Sequence, residues 1–234
     1  MRHIQFDPRR AYEAARTLAS DPDDLPQVFS LIESLSGDTL HRTHAHMQRT
    51  ETGRVLLEKR PDIVDLLADR ESLSALPEGS LGRAYLAFVD RENISASGIR
   101  DAAARGSNNG LPAPLDYVNA RLRDTHDLWH AVVGYHGDVL GETALLAFTF
   151  MQTWNPAIGV IIAIAFVKLG AGEARAVILD GFRRGKKAAW LPGQDWEALL
   201  PLPLEEVRAR LGVEAPREYV PLRTAALRAQ GLWA

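Results

Sequence analysis

The sequence has no cysteine among its 234 residues. Disulfide bonds, thiolate metal ligands and cysteine-held iron–sulfur clusters are therefore excluded. A metal bound by this chain would be held without thiolate, which leaves nitrogen and oxygen donors as the main ligand types. A reducing cytoplasm is compatible with this composition.

The chain also has no large excess of positive or negative charge, and its first residues do not show a pattern typical of a leader segment. Its formal net charge is −3, which gives no electrostatic reason to expect a nucleic-acid partner. The first eight residues hold no apolar core of signal-peptide length, and the sequence turns acidic at Asp21, Asp23 and Asp24. We therefore expect neither secretion nor an organellar presequence, and we predict a cytoplasmic protein.

Strand signals are scarce, whereas apolar residues recur at helical spacing along most of the chain. Pro8 suits the first turn of a helix that continues to Ala19, and residues 24–35 repeat the helical pattern. Further helices are predicted over residues 52–59 and 62–69.

No convincing linker divides the chain, and its length suits one sizeable core. We therefore predict a single all-α domain over residues 1–234. A segment rich in Ser, Gly and Asn over residues 95–115 is predicted to be a loop, and a mobile one.

Residues 143–167 contain no charged side chain and are long enough to cross a bilayer of about 30 Å. Gln152, Asn155 and Pro156 interrupt this segment near its centre, so we predict two apolar helices in place of a membrane span. These helices would fill the core or line a groove for a long apolar ligand. The candidate groove residues are Ala144, Leu145, Phe148, Met151, Ile158, Ile161, Ile162 and Phe166.

Two histidines and two carboxylates form the most informative pattern in the chain. His126, Asp127 and His130 lie in the run HDLWH, which continues a stretch without Gly or Pro and is predicted to be helical. At about 100° per residue the two histidines project about 40° apart, with Asp127 in the same sector. Glu142 follows twelve residues after His130, where a second helix is predicted to begin at Gly141 or Glu142, so it can fold back onto the histidines.

Imidazoles combined with carboxylates suit zinc, iron(II), manganese or cobalt, and such a site can leave positions open for substrate. A plainer interpretation is available, because paired histidines on a helix are common and a helix N-terminus alone stabilises a glutamate in its first turn. A glutamate that opens a strongly apolar segment is nevertheless costly to bury without a partner, which favours the metal interpretation.

The arrangement His-Asp-x-x-His, eleven residues, Glu resembles the signature of the coenzyme Q (ubiquinone) biosynthesis protein 4 family. The resemblance extends over nearly the whole chain, although residues 91–115 depart from the family pattern. The similar positions are residues 21–24, 28–29, 35–37, 76–82, 85, 152–153, 188–190, 196–200, 203–208 and 211–212.

The resemblance implies a largely helical protein that binds a divalent metal. The N-terminal sequence favours a bacterial member, and a polyprenyl tail would need an apolar groove beside the metal site. By carry-over of the motif, the metal ligands are His126, Asp127, His130 and Glu142. The family is described as acting in ubiquinone biosynthesis on a prenylated 4-hydroxybenzoate-type acid, whose carboxyl group at ring carbon 1 is replaced by hydroxyl. Its members are also described as organising the other biosynthetic proteins. Peripheral contact with the inner face of the cytoplasmic membrane is expected, and a homo-oligomer is compatible with the sequence.

Under this hypothesis a divalent metal binds the carboxylate or phenolate of the substrate, and Asp127, His130 and Glu142 are the candidate catalytic residues. Asp127 could instead orient a ligand or act as a general base. Two alternatives stay open: a non-catalytic scaffold that binds prenyl lipids around a structural metal, and a metal-dependent hydrolase.

Two further clusters have weaker functional interpretations. His41, His44 and His46 could hold a second metal, but their spacing does not fit one helical face, so a solvated surface is favoured. The basic run over residues 183–187 could meet an anionic membrane or a substrate carboxylate, although a solvated helix face is the commoner outcome.

Overall fold

A computed structural model describes residues 6–106, 110–169, 172–229, 231 and 233. Over these residues the chain forms α-helices, one 3₁₀ turn at Leu191–Gly193 and a single antiparallel bridge between Ser80 and Pro203. The helices are α1 (Pro8–Ser20), α2 (Leu25–Leu35), α3 (Thr39–Met47), α4 (Glu51–Lys59), α5 (Ile63–Ala68), α6 (Arg70–Ala75), α7 (Leu81–Glu92), α8 (Gly98–Gly106), α9 (Ala113–Asp124), α10 (His126–Val133), α11 (Val139–Thr153), α12 (Pro156–Lys168), α13 (Glu173–Lys187), α14 (Trp196–Leu199), α15 (Leu204–Leu211) and α16 (Thr224–Ala229). The all-α prediction is therefore confirmed.

Short polar side chains start many of these helices. Asp7, Asp24, Asp62, Ser80 and Asp138 each accept hydrogen bonds from backbone amides in the first turn of the helix that follows. These caps satisfy N–H groups that have no partner inside the helix. The helices predicted over residues 8–19, 24–35, 52–59 and 62–69 all form, with ends shifted by at most one residue.

The pairing of α11 with α13 is the most extensive helix contact in the core, and two glycines permit it. A Cβ atom on Gly181 would lie 2.2 Å from the Ala144 carbonyl oxygen, and one on Gly185 would lie 2.4 Å from that of Phe148. No side chain fits at such distances, so the two backbones approach closely because both positions are glycine. Gln152 also donates from Nε2 to the Gly185 carbonyl at 2.6 Å.

The long apolar segment is divided into α11 and α12, as the sequence predicts. Trp154 ends α11 in the left-handed region at φ +52°, and Asn155 then caps α12 by accepting from the Ala157 amide. Among the helices described, none combines the length and apolar character needed to cross a bilayer.

Residues 95–115 differ from the sequence prediction of a loop, because α8 forms over Gly98–Gly106. The run Ala102 to Ala104 has high helix propensity, and both Ala102 and Ala103 are buried. Arg100 bonds Asp62 and Asp124, each at 2.8 Å, which ties α8 to α5 and α9. Ser107, Asn108 and Asn109 of the predicted loop lie outside the described residues.

Replacing Gly185 tests the packing of α11 on α13. We expect Gly185→Ala to lower the free energy of unfolding by about 1–3 kcal/mol or more, because the added methyl group meets backbone atoms that cannot rotate away. Gly98→Ala is the control, since its Cβ would meet only Ser95 Oγ at 3.4 Å, and we expect no loss of stability. Urea unfolding of both variants measures the difference, and equal stability would show that the close approach is unimportant.

Candidate metal centre

His126 and His130 both lie on α10, a short helix that directly follows α9 in the chain. Thr125 joins the two helices with φ −94° and ψ 0°, and its hydroxyl donates to the Arg121 carbonyl at 2.8 Å. Gly134 ends α10 at φ +88°, and its amide donates to the His130 carbonyl at 2.7 Å. The motif therefore occupies a helix, as predicted, with one histidine at its first position and one in its last turn.

Two arginines hold the C-terminal end of α10. Arg184 donates to the Val133 carbonyl at 2.5 Å, and Arg208 donates to the Val132 carbonyl at 2.8 Å. Arg184 is fully buried and also donates to the Glu214 carbonyl. The last carbonyls of a helix lack partners within it and carry partial negative charge, so these guanidinium groups both satisfy and stabilise the end of α10.

The ring of His130 is buried and its orientation is fixed on two sides. Its Nδ1 lies 3.0 Å from the Tyr135 carbonyl oxygen, which can only accept, so Nδ1 carries the proton. The ring of Phe88 stacks against the imidazole with centroids 4.8 Å apart. With Nδ1 protonated, the lone pair of neutral His130 is on Nε2, the ring nitrogen nearer to Glu142.

Glu142 lies in the first turn of α11, which begins at Val139, two residues before the earliest predicted start. Glu142 Oε1 is 3.1 Å from His130 Nε2, and Oε2 is 3.7 Å from His126 Nε2. Candidate ligand atoms of the three residues all lie within 4.8 Å of one another. The structure thus brings together three of the four predicted ligands.

Asp127, the fourth predicted ligand, lies behind His126 and apart from this group of three. Its Oδ1 is 3.2 Å from His126 Nδ1, on the side of the ring opposite to the nitrogen that faces Glu142. A carboxylate in this position orients the imidazole and favours a lone pair on Nε2. This geometry suits the orienting role that the sequence left open for Asp127.

The donor set fits a divalent cation. Among the described residues, His130 Nε2 is buried without an aligned hydrogen-bond partner, although Glu142 Oε1 is 3.1 Å away. In a neutral imidazole this nitrogen carries a lone pair, and its closeness to a carboxylate oxygen is repulsive unless a proton or a cation is shared by the two atoms. Two imidazole nitrogens and a carboxylate are ligands that zinc, iron(II), manganese and cobalt accept.

Without a metal, the histidine and the glutamate stabilise each other's charged forms. Burial lowers the pKa of His130, but the Glu142 carboxylate more than offsets this, so the pKa lies above its ordinary 6.5. Burial raises the pKa of Glu142, and His130 outweighs that effect, so the pKa falls to about 2. A metal would take the place of the proton on His130.

A cavity of about 1110 Å³ lies beside the metal centre, with His126, Asp127 and Glu142 in its wall. From α11, Glu142, Leu146 and Thr149 face the cavity. Its other apolar lining residues include Val28, Phe29, Ile32, Leu40, Ile94, Ile99, Leu122, Ile158, Ile161 and Ile164.

The lining differs in detail from the predicted groove, since only Ile158 and Ile161 of the eight candidate residues border the cavity. The reason is the rotation of α11. Ala144, Leu145 and Phe148 are fully buried in the main core, whereas Glu142, Leu146 and Thr149 of the same helix border the cavity.

The structure shows the surroundings of the two weaker clusters. Among the described residues, no metal-binding group includes His41, His44 or His46, and His46 instead stacks on Trp190 at 3.8 Å. In the basic run, Arg184 is buried, while Arg183 and Lys187 both pair with Glu214.

Several residues that shape the centre had no signal in the sequence. Tyr135 contributes a backbone carbonyl, which no side-chain pattern reveals. Tyr219 and Arg184 act from segments far from the motif in sequence. The close approach of Asp138 to Tyr219, at 3.0 Å, also depends on the tertiary fold.

Comparisons with known proteins agree with the resemblance. The family model described as Coenzyme Q (ubiquinone) biosynthesis protein Coq4 matches residues 10–217. A protein of Talaromyces stipitatus named "Ubiquinone biosynthesis protein coq4, mitochondrial" is 33% identical over 206 residues, which is 85% of this chain and 70% of that protein. A protein of the same name from Aspergillus fumigatus is 33% identical over 208 residues, with the same coverage.

One solved structure supports the fold. It is a crystal structure of a candidate ubiquinone biosynthesis protein from Nostoc punctiforme PCC 73102, with a TM-score of 0.64 and 22% sequence identity. The match covers 90% of this chain and all of that one.

The coupling of His130 and Glu142 predicts a specific response to Glu142→Gln in metal-free protein. Removal of the carboxylate leaves burial as the main influence, so the pKa of His130 should fall, as measured by NMR titration of the imidazole. The raised pKa of His130 stabilises the wild-type fold below about 6.5, and the lowered pKa of Glu142 stabilises it above about 4.5. The stability lost in the variant should therefore be largest between these two pH values.

Glu173→Gln is the matched control, because Glu173 also lies in the first turn of a helix but is exposed. An equal effect of the two substitutions would mean that Glu142 acts only through the helix dipole.

Proposed function

The chain belongs to the coenzyme Q (ubiquinone) biosynthesis protein Coq4 family, and on that premise we propose that it acts in ubiquinone biosynthesis as a metal-dependent oxidative decarboxylase. The substrate is a prenylated 4-hydroxybenzoate-type acid. Its carboxyl group at ring carbon 1 leaves as carbon dioxide, and a hydroxyl group takes its place.

The observation that carries this proposal is the position of the three candidate ligands in the wall of a large cavity. His126 and Glu142 border the cavity, and the remaining wall is rich in apolar side chains. The proposed substrate has the same division, with a polar ring at one end and a long apolar tail. Such a tail requires an apolar channel that begins at the reactive centre, because transfer of the tail out of water lowers the free energy.

The residues of the chain have distinct proposed roles. His126, His130 and Glu142 hold the ion, while Asp127 and the Tyr135 carbonyl each orient one imidazole through its Nδ1 atom. When bound, a divalent ion supplies a Lewis acid that attracts the carboxylate or phenolate of the substrate. Phe88 covers one face of His130 and helps to keep water from the ring.

The reaction needs an oxidant as co-reactant, because exchange of a carboxyl group for a hydroxyl group is a two-electron oxidation. The carbon–carbon bond to the carboxyl group breaks, and a new carbon–oxygen bond forms at the same ring carbon. Dioxygen would accept the two electrons and leave as hydrogen peroxide while water supplies the hydroxyl oxygen, whereas a peroxide would supply the hydroxyl oxygen and leave as water.

A scaffold is the second candidate function, and the size of the cavity favours it. A volume of about 1110 Å³ could carry a prenylated intermediate from one biosynthetic protein to the next without any change in the ring. In that role the metal is structural, and other ubiquinone-biosynthesis proteins are the partners. For both functions we propose a cytoplasmic location with peripheral contact to the inner face of the membrane.

Turnover by the purified protein tests the proposal. The protein is loaded in turn with iron, manganese, cobalt and zinc and incubated with the prenylated acid under oxygen, and product mass is followed. We expect loss of the carboxyl group with gain of a hydroxyl group, and we expect His130→Ala to lose both bound metal and activity, because a buried ligand is removed.

His41→Ala serves as the control, since His41 is an exposed histidine away from the centre. Recovery of unchanged but tightly bound substrate would favour the scaffold. Full activity of metal-depleted His130→Ala protein would contradict the proposed mechanism.

A further inference from the structure

An extended segment near the C-terminus crosses the loop that joins α10 to α11. We call residues 213–223 the strap. Its Leu222 accepts from the Val139 amide at 3.0 Å and donates its own amide to Asp138 Oδ1 at 2.7 Å. Arg223, at the end of the strap, pairs with the buried carboxylate of Glu92 at 2.8 Å. The strap is therefore bonded to the turn immediately before Glu142.

Within the strap, the hydroxyl of Tyr219 bridges two points of this loop. It accepts from the His136 amide at 3.0 Å and donates to Asp138 Oδ2 at 3.0 Å. His136 directly follows Tyr135, whose carbonyl orients His130. Asp138 is the cap of α11, the helix that carries Glu142. The Tyr219 hydroxyl thus bonds to two residues of the loop that connects His130 to Glu142, one near each end of that loop.

The space around this hydroxyl is closely filled. A Cβ atom on Gly141 would lie 2.4 Å from the Tyr219 oxygen and 2.2 Å from the His136 carbonyl oxygen. Asp138 is buried, and its two carboxylate oxygens accept from three backbone amides and the tyrosine. These bonds restrict any change in the distance between the two helices that the loop joins.

We propose that Tyr219 is a positioning residue that, through Asp138 and His136, sets the separation between His130 and Glu142 and so tunes metal binding. This inference rests on the proposed metal function. A metal site tolerates only small errors in ligand distance, and loss of such outer hydrogen bonds commonly weakens metal binding about 10–100-fold. The hydroxyl of Tyr219 acts through Asp138 and His136, so its effect on the metal is indirect.

Tyr219→Phe removes the hydroxyl alone and leaves the His136 amide and Asp138 Oδ2 without this partner. Asp138→Asn approaches the same bond from the other side, because the amide keeps an oxygen for capping α11 while its nitrogen can only donate, so the tyrosine loses the carboxylate that accepts its proton. Thr224→Val is the matched control. It removes a hydrogen bond to Asp23 just beyond the strap, and therefore loosens the same segment without touching the loop.

The measurement is a titration of each metal-free, full-length variant with Co²⁺, followed by visible absorption, with thermal unfolding as a check of folding. We expect Tyr219→Phe and Asp138→Asn each to bind Co²⁺ at least about tenfold more weakly than the wild type and with a changed spectrum. The double variant should be little worse than the weaker single one, because both changes break one bond. Thr224→Val should keep the wild-type affinity and spectrum.

The outcomes separate this inference from the function on which it rests. Absence of Co²⁺ binding by the wild type would overturn the metal centre itself, and the positioning role with it. Binding by the wild type with unchanged affinity and spectrum in both variants would overturn the positioning role alone. If Tyr219→Phe does not fold, Asp138→Asn decides by the same two criteria. Equal weakening in Thr224→Val would also contradict the inference, since it would show a general effect of segment stability.

Discussion

The close contact between the imidazole of His130 and the carboxylate of Glu142 determines how the candidate metal centre is built. A charged His130 would be costly to hold in this position alone, because its ring is buried, and the partly exposed carboxylate of Glu142 offsets that cost. Together they stabilise each other, and a cation between them would be bound by both. The fold keeps the two atoms 3.1 Å apart although they lie on different helices. Much of the surrounding structure can be understood as the means of maintaining that distance.

Both ends of the connection between these residues are restrained. Arg184 and Arg208 bind the last carbonyls of α10, so His130 is carried by a helix with a fixed end. On the other side, α11 is packed tightly against α13 through Gly181 and Gly185, which fixes the helix that carries Glu142. The cavity lies next to this rigid pair of helices and is closed in part by α2, α8 and α12, which contact one another less extensively. The arrangement places a polar centre held by packed helices beside a large cavity.

The sequence predicted much of the fold and the main part of the centre. The spacing of His126 and His130 places both on one helical face wherever that helix lies, and the apolar segment after Glu142 indicated a second helix. Other features could not be predicted because they depend on tertiary contacts. Arg184 looked like one of several surface cations, yet it is buried against the end of α10. Asp127 lies on the same face of α10 as the two histidines, but only the structure shows that its carboxylate contacts His126 Nδ1, the ring nitrogen that faces away from Glu142. The helix α8 was not predicted, because the Ser, Gly and Asn residues on both sides of its three consecutive alanines are typical of loops.

The atoms that coordinate a bound ion show whether His126, His130 and Glu142 form a metal site. X-ray absorption spectroscopy of the protein loaded with one equivalent of zinc would report the number and type of atoms around the metal. We expect one ion per chain with two imidazole nitrogens at about 2.0–2.1 Å and a carboxylate oxygen at a similar distance, leaving room for solvent or substrate. A protein that retains no stoichiometric metal, or one whose metal shows no imidazole ligands, would contradict this assignment.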